Sequence, residues 1–131
     1  MCRLIMIGGL LVALVVAGLV AIGLAGMLAP KQACAQYGIM LDDARALGLI
    51  RAMAARDLVI GALLGTVALV ASRDVLGWAM CLTALIAVVD LRVVMADRSA
   101  TSRSRLGRAT ALHAGGAVGL LIVGALLLSG Y

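Results

Sequence analysis

The sequence predicts an all-α protein, an integral membrane bundle of four transmembrane helices. Three observations predict it. Hydrophobic residues make up 65% of the 131 residues and charged residues 13%, against about 45–50% and 25% in soluble domains. Four apolar stretches, each near the roughly 20 residues a helix needs to cross a bilayer, are separated by polar punctuation. The basic residues concentrate between those stretches. A soluble chain of this length has no means of hiding so much apolar surface, whereas lipid requires no hiding. The net charge of +5 therefore fits loops that set topology and meet anionic lipid, and nucleic acid is not expected as a partner.

One domain is expected, with spans at about residues 4–28, 52–72, 76–95 and 109–130. The first is free of charge over 25 residues. A secretory signal is the rival reading, because Ala33-Cys34-Ala35 resembles a cleavage site, but the apolar core far exceeds the usual ~7–15 residues. Ala17, Ala21, Ala25 and Ala29 recur every fourth residue and predict a stripe on which another helix packs closely. Pro30 should end the helix, since it lacks an N–H and clashes with the preceding turn. Residues 31–41 then read as a loop with a turn at Tyr37-Gly38.

Asp42 or Asp43 is the expected cap of the second helix, running to about Ser72. Its apolar run from Leu58 to Ala71 has only 14 residues. A full span must therefore reach back to about Ala52 and take Arg56 and Asp57 into the membrane. Gly61-x-x-x-Gly65 predicts a close neighbour. Arg73-Asp74 reads as a tight turn. The third span, from Leu76 to about Met95, carries Trp78 at its entrance and Asp90 and Arg92 near its far end. Residues 97–108 form a basic loop. The fourth span holds His113 near its start and a second small-residue stripe, Ala111, Gly115 and Gly119.

Lys31, Arg45, Arg51, Arg98, Arg103, Arg105 and Arg108 fall on one side of the bundle, and Arg3 and Arg73 on the other. The positive-inside rule puts the larger loops in the cytoplasm and both termini outside, in a bacterial inner membrane.

Arg56, Asp57, Asp90, Arg92 and His113 come from three helices, yet all fall in one layer roughly 4–8 Å inside the same boundary at ~1.5 Å per residue. Ionisable groups within a span cost up to roughly 2.5–3.5 kcal/mol each at the bilayer centre, and they are functional-site candidates by default. One outcome is a brace, Asp57 with Arg92 and Asp90 with Arg56. The other is a cavity open to the cytoplasm in which these residues, with Tyr37 over its mouth, hold the polar end of a lipid- or quinone-like molecule. Thr83 shares a face with Asp90, and Thr110 with His113. Asp57, Asp90 and His113 are the candidate acid–base groups if the protein is an intramembrane enzyme, such as an isomerase, cyclase or hydrolase of a lipophilic substrate. The three cysteines, Cys2, Cys34 and Cys81, have no C-x-x-C spacing and form no zinc pattern with the one histidine. No metal or cofactor is expected. Small multidrug exporters, which rest on an acid in the first helix and on cation-facing aromatics, are excluded by a first helix without acid and a chain without Phe.

Tyr37-Gly38-Ile39, Asp42-Asp43, Arg51-Ala52, Arg56-Asp57-Leu58 and Gly61 resemble the pattern of an uncharacterised family of small four-helix bacterial and fungal membrane proteins. In outline that family is similar to the DoxX-like proteins. The resemblance implies four helices with a polar Arg-Asp near the start of the second. By analogy it also implies an accessory subunit of a membrane complex or a quinone neighbour, with a membrane-protein partner or a homo-oligomer.

Overall fold

A computed structural model describes residues 2–36, 44–96 and 103–130. Among them there are five helices and no strand: α1 (Cys2–Leu28), α2 (Pro30–Gln36), α3 (Ala44–Val70), α4 (Arg73–Ala96) and α5 (Arg103–Leu128). Four are long and apolar enough to cross a membrane, over Ile7–Leu28, Leu47–Val70, Arg73–Val93 and Thr110–Leu128. The protein is a multi-pass membrane protein with an all-α bundle fold. Leu10, Leu14, Leu63, Leu69, Leu82 and Ile122 face outward, as lipid-facing positions do. Among the described residues no polar or charged residue is fully buried.

Pro30 redirects the chain rather than ending its helical run. Only Ala29 is non-helical, and Pro30 then opens the seven-residue α2. A fixed φ and a missing N–H suit the first position of a helix as well as they disrupt the interior. Residues 30–36 are therefore helix where a loop was expected. The turn between α3 and α4 also lies slightly earlier than expected, at Ala71-Ser72. Ser72 caps α4: its Oγ accepts from the Val75 N–H at 3.5 Å, while Asp74 sits in the first turn, where the dipole favours negative charge. Arg73 donates to the Leu127 carbonyl at 3.4 Å, tying this turn to the end of α5. Gly130, at φ +80°, supplies the left-handed residue beyond that helix.

The helices pack as two intimate pairs, α1 on α3 and α4 on α5. Contacts between α3 and α4, and between α1 and α5, are narrower, and α2 touches α1, α3 and α5. Glycine seams make the two pairs. A Cβ at Gly23 would stand 2.7 Å from the Leu58 nitrogen and 2.8 Å from the Ala54 carbonyl oxygen, and one at Gly26 2.5 Å from the Ala54 Cβ. Gly61 meets Leu19 and Val20, and Gly65 meets Val16, so the Gly61-x-x-x-Gly65 expectation holds. In the second pair, a Cβ at Gly124 would lie 2.6 Å from Cys81 Sγ and 2.9 Å from the Gly77 carbonyl oxygen. Cys81 is thus a small packing residue.

The alanine stripe on α1 is not the seam. Ala17, Ala21 and Ala25 are exposed, because the neighbouring Gly23 and Gly26 let backbones approach closer than an alanine face does. Likewise, space around Gly115 and Gly119 is open within 4 Å. Substituting Ala at either should leave the thermal stability of the monomer unchanged or slightly raised, since only helix propensity is at stake. A melting curve in detergent checks this, and a drop of several degrees would mean that another chain covers this stripe.

Candidate functional site

On α3, Ala54, Leu58, Gly61 and Gly65 form the stripe that docks on α1. Asp57, Ile60 and Leu64 lie on the adjacent stripe, directed to the interior between the two pairs. The glycine seam thereby fixes the rotation of α3 and with it the aim of Asp57. On α4, Thr83, Ala87 and Asp90 recur at four- and three-residue steps toward the same space. His113, Gly116 and Leu120 do so on α5.

The polar groups meet there. Arg56 grips Asp90 through both guanidinium nitrogens, Nη2 to Oδ2 at 2.7 Å and Nη1 to Oδ1 at 3.2 Å. This fork is the strong geometry for an Arg–carboxylate pair. Longer contacts of 3.3 and 3.4 Å run from Arg56 to Asp57 Oδ1, as expected of adjacent residues that do not face each other on a helix. The Asp57 and Asp90 side chains are 19% and 16% exposed and that of Arg56 37%. Asp90 is the brace between α3 and α4, and Asp57 is held less firmly. Thr83 donates its hydroxyl proton to the Ala79 carbonyl at 2.8 Å.

Arg92 does not join. The sequence paired it with Asp57, but Asp57 pairs with Arg56, and Arg92 is exposed. Two residues on from Asp90 is about 200° around a helix, so both side chains cannot face one space. His113 is brought to the layer, its Nε2 buried and its ring on the same cavity as Asp57. Tyr37 and the proposed caps Asp42 and Asp43 lie outside the described residues.

Asp57, Thr83, Asp90 and His113 line a cavity of about 340 Å³ between the helix pairs. Its other walls are apolar, from Leu19, Ile22 and Ile60 to Ile86, Leu112 and Leu120, with Ala33 of α2 beside them. Ala21, Ile22 and Ala25 on α1, and Leu112 and Gly116 on α5, are lining residues that are also exposed. They put the mouth where α1 and α5 meet only narrowly. The α1 half of the seam, Gly23 and Gly26, lay beyond the sequence reasoning, which followed the regular alanine spacing. A signal did exist in Gly23 and Gly26, but glycine is frequent throughout these helices. Among the described residues, no group of three metal-ligating side chains occurs. The cavity's size is that of small-molecule sites, which are mostly apolar with a few convergent polar groups.

Comparison with known proteins gives one family. A family model described as Domain of unknown function (DUF4267) matches residues 16–127. No curated protein and no solved structure matches the chain.

Proposed function

The chain belongs to the family described as a domain of unknown function (DUF4267), and from that premise we propose that it binds a lipophilic, lipid- or quinone-like molecule in the cavity between its two helix pairs. The observation that carries this reading is the cavity itself: about 340 Å³, apolar on most sides, with Asp57, Asp90, Thr83 and His113 on one. Its mouth lies between two outward-facing spans, so a molecule dissolved in the bilayer reaches it without crossing water. The bundle is assigned to a bacterial inner membrane, with the basic loops cytoplasmic and both termini outside, on the two-to-seven distribution of Lys and Arg between the sides.

An intramembrane enzyme is the second reading, favoured by Asp57 and His113 lining the same space. A carboxylate and an imidazole so placed can move a proton to and from a bound lipophile. Asp57→Asn, which spares the Arg56–Asp90 fork, would then abolish turnover without unfolding the protein. A subunit role, which a DoxX-like outline would imply by analogy, is the remaining alternative.

Native mass spectrometry of protein extracted gently from its own membrane tests the binding reading. One non-bulk lipophile per chain is expected. Gly116→Phe should lose it while melting as the parent does, because a side chain at Gly116 meets no atom within 4 Å at its Cβ and lies against the cavity. Bulk lipid alone from both proteins would overturn ligand binding, and a second protein copurifying at fixed ratio would then favour the subunit role.

A further inference from the structure

The polar groups on the cavity wall are unequal in kind. Asp57 and Asp90 turn carboxylates to it, but Arg56, which pairs with both, is not among the residues that line it. The guanidinium stands behind its partners. Its fork is spent on Asp90. Asp57 receives only the two long contacts at Oδ1, and among the described residues its Oδ2 accepts no hydrogen bond. Thr83 has given its one proton to Ala79, so toward the cavity it offers lone pairs only. Among the described residues, a bound molecule thus meets a wall rich in acceptors, with two carboxylates set against one guanidinium and the His113 imidazole beside them. A head group that is itself anionic would add a third like charge in a medium that screens poorly. A cationic head would offset the excess and give Asp57 a charge-assisted hydrogen bond.

We propose that the cavity takes a long-chain molecule whose polar end is a protonated amine, with the ammonium on Asp57. The chain lies along Leu19, Ile22 and Leu112 toward the mouth. This rests on the ligand-binding reading above and names the chemistry of its head group. An ammonium carries three donors, which suits two carboxylates held together by one arginine.

The test uses the full chain in phosphatidylcholine nanodiscs and three radiolabelled probes that differ only in head group: dodecylamine, dodecanol and dodecanoate. Partitioning into empty discs is subtracted. Saturable binding of one dodecylamine per chain is expected, about tenfold tighter than dodecanol, with dodecanoate weakest. Asp57→Asn should bring dodecylamine down to the level of dodecanol. If Asp57→Asn does not fold, the ranking of the three probes on the unsubstituted protein carries the test. Equal binding of the three probes, or tighter binding of dodecanoate, would overturn the amine assignment and leave the binding site standing. Absence of saturable binding by all three would overturn both.

Discussion

Arg56→Ala is expected to loosen the joint between the two helix pairs and to lower stability by about 2 kcal/mol. Breaking a fully buried ion pair costs about 3–5 kcal/mol, and an exposed pair contributes about 0–1. Arg56, at 37% exposed, with partners at 19% and 16%, falls between those limits. The loss goes beyond one pair, because Asp57 and Asp90 both lose their guanidinium and remain as two like charges in a half-buried layer. Contacts between α3 and α4 are otherwise narrow, so little apolar packing compensates. Arg56→Lys should recover only part, since an ammonium does not reproduce the fork on Asp90. Thermal unfolding in detergent, with limited proteolysis of the α3–α4 turn, measures both. A variant melting with the parent would show that the layer does not brace the bundle.

Gly23→Ala is expected to be at least as damaging, by about 3 kcal/mol, although it adds one methyl group. The new Cβ would stand 2.7 Å from the Leu58 nitrogen and 2.8 Å from the Ala54 carbonyl oxygen. Those are backbone atoms, and no rotamer change moves them aside. α1 and α3 must separate, which is the costly end of overpacking. Gly18→Ala, five residues earlier on the same helix and with nothing within 4 Å of its Cβ, is the control and should melt with the parent or slightly above. Because the α1 seam sets the rotation of α3, Gly23→Ala should also disturb the aim of Asp57 and reduce ligand retention, whereas Gly18→Ala should not. Equal behaviour of the two glycine variants would refute the seam.

The sequence by itself determined the class of fold, the number of spans and the convergence of Arg56, Asp57, Asp90 and His113 on one depth. The solvent dictates those features: a bilayer demands long apolar helices, and the 1.5 Å rise turns position along the chain into depth. Rotation about each helix axis was not legible in the same way. Depth does not reveal that Arg92 points away while Asp90 faces Arg56, or that the guanidinium stands behind the carboxylates on the cavity wall. Regular spacing favoured Ala17, Ala21 and Ala25 as the seam, yet Gly23 and Gly26 form it. Lipid is as apolar as the interior, so hydrophobic patterning does not mark which face of a spanning helix turns inward. Tertiary contact alone decided that, through the steric fit of glycine against backbone and the reach of one arginine across to the next helix.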